Sequence, residues 1–194
     1  MNKAEKTRQF IIEKTAPIFN TKGYAGTSLT DMTEATGLTK GSIYGNFSNK
    51  DEVALACFDY NLAKLNAGLK EQIEKQPSAK EKLKIRTHIF DQAIIAKMPP
   101  GGCPILNTAT EADDTHPQLK ERVADAIETW KKKVIDILKE GIKNKEISAN
   151  TDPEQVALTL ISMTEGAIMV SKATGKPSYG RSVMEAARKY IDAL

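Results

Sequence analysis

Apolar residues recur three and four positions apart in segment after segment, and no stretch sustains the apolar/polar alternation that marks a strand. The pattern predicts an all-α fold of about nine helices, divided by proline and glycine. The dividing marks are Gly23 and Gly26, Gly37, Pro77, the stretch Pro99 to Pro104, Pro117, Pro153, and Gly175 with Pro177. The first segment, Lys3 to Lys22, puts Ile11, Thr15, Ile18 and Phe19 on one face and stops at Gly23. Pro17 inside it predicts a kink. Two short helices follow, Ser28 to Thr36 and Lys40 to Asn46. A long one, about Lys50 to Gln76, repeats Leu55, Phe58, Leu62, Leu65, Leu69 and Ile73 as a bundle stripe. Further helices are predicted from Pro77 to about Met98, Ile105 to Ala112, Pro117 to Asn144, Asp152 to Thr174 and Ser178 to Leu194. The helix from Pro117 turns Val123, Ile127, Trp130, Val134 and Leu138 inward. A shift of character near residue 50 divides a compact helical unit, residues 1–49, from a larger bundle, residues 50–194, with no flexible linker between them.

Residues 24–50 are the most informative stretch. Thr27 or Ser28 caps a helix whose Leu29 and Met32 face inward, Gly37 supplies the positive φ that ends it, and Thr39 caps the next helix. Ile43 and Phe47, four apart, anchor that second helix and leave Lys40, Gly41, Ser42, Tyr44 and Asn46 toward solvent. Two short helices about a tight glycine turn make a helix-turn-helix, whose second helix can enter a major groove. Lys40 suits a guanine edge or a phosphate, Gly41 permits close backbone approach, and Ser42 and Asn46 can bond base edges. Tyr44 can offer its hydroxyl to a phosphate, and Lys50 with the free amides opening the next helix makes an anion site.

Composition narrows the class. Of the 194 residues, 40% are hydrophobic and 27% charged, an ordinary globular balance. Net charge is +3, and residues 1–50 hold the whole excess: 7 Lys and Arg against 4 Asp and Glu, with 21 of each sign in the remainder. That asymmetry hints at an anionic partner for the N-terminal part. Two cysteines, Cys57 and Cys103, exclude a disulfide framework and fit a reducing compartment. A charged N-terminus and the lack of an apolar run near the ~18 residues of a membrane span lead to an expectation of a cytoplasmic protein with no membrane partner. No nucleophile elbow, phosphate loop, Cys-x-x-Cys or His-Glu-x-x-His is present, so neither an enzyme nor a cofactor is expected. Glu111, Asp113, Asp114 and His116 lack helical ligand spacing and read as caps around Pro117, with no metal expected. Cys103, in Gly-Gly-Cys-Pro at a helix start, is read as a small apolar plug or a reactive thiol.

The block from Phe19-Asn-Thr-Lys-Gly-Tyr24 through Gly-Thr-Ser-Leu, Thr-Gly-Leu-Thr-Lys-Gly-Ser-Ile-Tyr and Phe47-Ser-Asn-Lys-Asp-Glu-Val resembles the DNA-binding domain of TetR/AcrR family transcriptional regulators. The resemblance covers about residues 5 to 55. Thr33, where the family has a small alanine, and Pro17 depart from it. It implies operator contacts by Thr30, Lys40, Gly41, Ser42, Tyr44, Asn46 and Lys50, with Thr39 beside them. The helix Asp152 to Thr174 is apolar nearly all round, which fits either the centre of one bundle or a homodimer interface. The resemblance favours the dimer, through Val156, Leu160, Met163, Ala167, Val183, Ala187 and Tyr190. It also implies a small-molecule inducer pocket, for which Phe58, Phe90, Ile94, Cys103, Asn107, Trp130 and Thr164 are the candidates. The expected function is a ligand-released repressor that binds a palindromic operator as a homodimer. The alternative is a helical small-molecule-binding or thiol-reactive sensor without operator binding.

Overall fold

The computed structural model describes residues 2–96 and 98–194. It is all helical among those residues: α1 (Lys3–Gly26), α2 (Leu29–Thr36), α3 (Lys40–Tyr44), α4 (Lys50–Glu74), α5 (Ala79–Lys84), a 3-10 segment (Ile85–His88), α6 (Gln92–Ile95), α7 (Pro104–Ala112), α8 (Pro117–Lys143), α9 (Pro153–Thr174) and α10 (Pro177–Asp192). The chain packs as two compact units, Met1–Leu65 with Pro99–Ala124, and Asn66–Met98 with Asp125–Leu194. Helices α4 and α8 each contribute residues to both.

In the first unit, Ile11, Ala16, Phe19, Met32, Ile43, Phe47, Val53, Ala54 and Cys57 form one apolar core drawn from α1 through α4. Asn2 and Glu5 cap the start of α1 reciprocally. Helical geometry continues through Pro17, so the predicted kink lies elsewhere. It falls at Gly23, with φ +75° and ψ 178°. There the Glu111 carboxylate of α7 accepts the Tyr24 and Ala25 amides, both at 2.7 Å, and a Cβ at position 23 would overlap that carboxylate. Glycine thus permits both the backbone turn and the latch.

Two asparagines fasten α1 to the Pro99–Pro104 loop. Asn20 Nδ2 donates to the carbonyls of Pro100 (2.7 Å) and Gly102 (3.0 Å), while Asn107 Nδ2 donates to those of Asn20 (3.0 Å) and Gly101 (2.9 Å). One turn earlier in α1, the Asn61 amide of α4 donates to the Ala16 carbonyl at 2.9 Å.

In the second unit, α9 and α10 pack as a pair. Val156, Leu160, Ile161, Thr164 and Ala167 of α9 are buried, as are Gly180, Met184, Ala187 and Ile191 of α10. A side chain at Gly180 would overlap Phe90 and Ser171, so glycine sets this approach. The single helix predicted after Pro77 is broken into α5, the 3-10 segment and α6. Ile85, Thr87 and Ile89 are β-branched, Thr87 Oγ1 bonds back to the Lys84 carbonyl (2.7 Å), and Asp91 takes an extended backbone while its carboxylate meets His88 Nδ1 (2.8 Å). Arg188 of α10 holds this segment by donating to the Thr87 carbonyl at 3.2 Å, and Asp192 by pairing with Lys84 at 2.7 Å.

Helix α9 is the most apolar of the long helices among the described residues. With a mean hydropathy of 1.3 over 18 residues, it is the one helix among the described residues long and apolar enough to cross a membrane. Its inward half is the core side of the α9–α10 pair.

A clear test of the first unit is Gly101→Ala. Gly101 has φ +88°, and a Cβ there would lie 2.7 Å from the Asn20 carbonyl oxygen, which the Asn107 amide also holds. The variant should lose about 2 kcal/mol, read as a melting temperature lowered by roughly 4 to 8 °C.

Candidate nucleic-acid interface and cavity

Local chemistry fixes both short helices. Ser28 caps α2, its hydroxyl accepting the Asp31 amide (3.1 Å) while the Asp31 carboxylate accepts the Ser28 amide (2.7 Å). The Lys22 ammonium at 2.5 Å, and then Ser28, hold the Asp31 carboxyl far below the ordinary carboxylate range. The acidic charge of α2 is therefore locally paired. Gly37 ends α2 in the left-handed region at φ +67°, and Thr39 Oγ1 accepts the Ser42 amide at 3.2 Å to begin α3.

Behind α3, Ile43 is 0% and Phe47 2% exposed. Ahead of it, Thr30, Thr39, Lys40 and Gly41 are exposed, and Ser42, Tyr44, Asn46 and Lys50 are half-buried. The Asn46 amide nitrogen turns back onto the Ser42 carbonyl at 2.8 Å.

Arg8 clamps the end of this unit. Its guanidinium lies 3.9 Å from the Phe47 ring centre and donates to the Asn46 carbonyl (2.5 Å) and the Glu52 carboxylate (2.6 Å). Glu52 in turn accepts the Ser48 amide at 2.7 Å; that bond first, and Arg8 second, lower its pKa. The start of α4 is organised by a second cluster. Lys50 Nζ lies 4.4 Å from the centre of the Tyr24 ring, and the Tyr24 hydroxyl donates to Asp51. That bond, with burial behind it, pushes the phenol up to about 12. His116 meets the Tyr24 ring edge-on at 4.6 Å, accepts the Leu119 amide on Nδ1 (3.2 Å) and places Nε2 3.6 Å from Asp51.

The candidate ligand residues do not form one group. Phe58, Cys103 and Asn107 belong to the first unit, and Phe90, Ile94, Trp130 and Thr164 to the second. Asn107 is tied to loop and α1 carbonyls, Cys103 is 3% exposed, and Phe90 packs on Gly180. Phe58 lines a first-unit cavity of ≈ 320 Å³, mouth included, with Asn20, Tyr24 and Glu111. Trp130 and Thr164 share a second-unit cavity of ≈ 500 Å³, mouth included, with Leu83, Arg86, Lys133 and Leu160. Arg86 and Lys133 look like ordinary surface cations in the sequence, although Lys133 follows Trp130 by three, the spacing of neighbours on one helix face.

Four of the seven candidate interface residues, Val156, Leu160, Ala167 and Ala187, are buried inside their own unit. Met163, Val183 and Tyr190 are half-buried. The large apolar side chains left open on these helices are Leu158 (45%), Met169 (52%) and Tyr179 (45%). A helix apolar on every side gives no phase in its sequence, so which face turns outward becomes visible only once α10 covers the other.

Residues 11–57 match the family described as bacterial regulatory proteins, tetR family, and residues 81–187 match the tetracyclin repressor-like, C-terminal domain. A TetR family transcriptional regulator from Cytophaga hutchinsonii is 46% identical, with 100% of this chain and 97% of that chain covered and a TM-score of 0.97. A TetR transcriptional regulator from Chloroflexus aurantiacus J-10-FL is 35% identical, covering 98% of this chain and 96% of that one, with a TM-score of 0.90. The HTH-type transcriptional repressor DhaR of Mycobacterium sp. strain GP1 is 26% identical over 165 residues, 85% of this chain and 82% of that protein.

Both thiols are buried, and desolvation pushes Cys57 up to about 12. At pH 8 a disulfide reagent should therefore label neither cysteine of the native protein in the time it labels both after unfolding in guanidinium. Prompt labelling of the native chain would contradict this environment.

Proposed function

Because the chain belongs to the TetR family of bacterial transcriptional regulators, we propose that it is a ligand-released repressor which binds a palindromic operator as a homodimer. Residues 1–49 carry the DNA-binding role and residues 50–194 the ligand and dimer roles. The observation that carries this reading is the backing of α3: with Ile43 and Phe47 buried, Lys40 and Gly41 are left exposed to a duplex.

Lys40 and Ser42 take base edges, Asn46 joins them once its amide leaves Ser42, and Thr30, Thr39, Tyr44 and Lys50 hold the phosphates. The protein acts in the cytoplasm, where the operator is, and has no catalytic role. The homodimer forms through the outward faces of α9 and α10, where Leu158, Met163, Met169, Tyr179, Val183 and Tyr190 supply the apolar surface. Two recognition helices about 34 Å apart then read successive turns of the major groove. A ligand in the second-unit cavity favours a conformation whose recognition helices are wrongly spaced. Operator affinity falls by the ligand's differential affinity for the two states, about 1.4 kcal/mol for each tenfold. Helix α4 is the natural lever, since it carries Lys50 near its start and Ile73, a cavity-lining residue, near its end.

Tyr44→Ala and Lys50→Ala should each weaken binding to the DNA upstream of the protein's own gene by roughly three- to tenfold, uniformly across sequences. Gel-shift titration reads the loss, and sedimentation should show an unchanged oligomer. Unaltered affinity in both variants would reject their phosphate role. Lys40→Gln should change the ranking of operator variants; a uniform loss would make Lys40 a phosphate contact instead.

A further inference from the structure

Among the described residues that line the second-unit cavity, one buried polar group lacks a partner, and it carries no charge. The charged lining residues are answered in other ways. Lys82 pairs with Glu140 at 3.0 Å. The Arg86 guanidinium lies 4.0 Å from the centre of the Trp130 ring and has partners of its own. Lys133 is exposed, so water solvates its charge. The Thr87 and Thr164 hydroxyls donate to the carbonyls of Lys84 and Leu160, each at 2.7 Å. Trp130 differs from all of these: it is 4% exposed, and its buried indole N–H has no acceptor among the described residues. A buried donor of this kind is disfavoured until something accepts from it. The remaining wall is hydrocarbon, from Ile73, Leu83, Val134, Ile137 and Leu160.

This combination discriminates among ligand classes. A charged group brought inside loses its hydration and meets no unpaired buried charge among the described lining residues. A pure hydrocarbon fills the wall and leaves the indole N–H as it was. A polar group that only donates fails in the same way, because the indole nitrogen is itself only a donor. An uncharged molecule with an apolar body and one carbonyl oxygen satisfies both the wall and the donor.

We propose that the ligand of this cavity is an uncharged, largely apolar carbonyl compound, whose oxygen accepts the Trp130 indole N–H while Leu83, Val134, Ile137 and Leu160 pack on its body. The proposal rests on the reading of this cavity as the inducer site and adds the chemical class of what enters it.

The full-length protein is titrated by isothermal calorimetry with a series of aryl ketones: acetophenone, propiophenone, butyrophenone and valerophenone. Each is matched by the alkylbenzene of the same skeleton without the oxygen, and by the phenylalkyl carboxylate and primary amine of similar length. At least one ketone should bind saturably, with a dissociation constant roughly three- to tenfold below that of its alkylbenzene. The carboxylates and amines should bind more weakly than either. That comparison needs no variant. Trp130→Phe keeps an aromatic ring and removes the N–H; it should raise the ketone's constant to that of the alkylbenzene and leave the alkylbenzene's within about twofold. Ile137→Phe narrows the hydrocarbon wall instead, and should weaken ketone and alkylbenzene alike. Circular dichroism confirms the helices of both variants.

Equal binding of ketone and alkylbenzene, tighter binding of a carboxylate or an amine, or no saturable binding of any ketone overturns the proposal. So does a preference for the ketone that survives in Trp130→Phe. Gel shifts with the same compounds separate it from the reading it rests on. A ketone that binds without releasing DNA supports the carbonyl site and rejects the inducer role. Release of DNA by a carboxylate or an amine, with the ketones inert, keeps the inducer role and rejects the carbonyl.

Discussion

A five-residue helix has no stability of its own, because nucleation fixes several dihedral angles for one or two hydrogen bonds. Helix α3 is such a helix, and the orientation of everything on its outer side depends on what holds it from behind. Ile43 and Phe47 are the hold. Burying two side chains of this size contributes on the order of 3 to 6 kcal/mol, several times what the Thr39 cap supplies at about 1 kcal/mol. Arg8 then lies over Phe47 and binds the Asn46 carbonyl and Glu52, so the turn after α3 and the start of α4 share one anchor.

The same dependence organises the rest of the first unit. Helix α1 must stop and turn at Gly23 for α2 to reach the core, and the two amides freed there are taken by Glu111 from α7. Asn20 and Asn107 repeat the device one turn earlier, satisfying loop carbonyls with side-chain amides. These are polar attachments between elements far apart in sequence. They give α7 a direct hold on the frame that carries α3. The cluster of Tyr24, Lys50, Asp51 and His116 ties the opening turn of α4 to that frame.

Much of this was legible in the sequence wherever the cause is local. Gly37 needs a positive φ, Ser28 and Thr39 can cap, and Ile43 and Phe47 are one turn apart; each is a statement about neighbours, and each is found in place. What escaped are effects settled by partners far along the chain. The Glu111 latch joins residues 87 apart, and Arg8 reaches Asn46 across 38. The break after Lys84 follows from β-branched residues and an Asp91 turn inside what periodicity reads as one helix. Lys82, Arg86 and Lys133 read as ordinary surface charges until α5, the 3-10 segment and α8 are brought around one space. For α9, uniform apolarity hid which side packs on α10, and so Leu158, Met169 and Tyr179 emerged only from the packed helices.

In the proposed function the face from Lys40 through Asn46 meets a duplex while Ile43 and Phe47 stay anchored. Amide hydrogen exchange of the full chain, with and without the DNA upstream of its own gene, tests it most directly. Slowed exchange is expected in α3 and at the first turn of α4 on adding that DNA, with little change for a scrambled duplex of equal length. Protection confined to other helices, or equal protection by both duplexes, would contradict it.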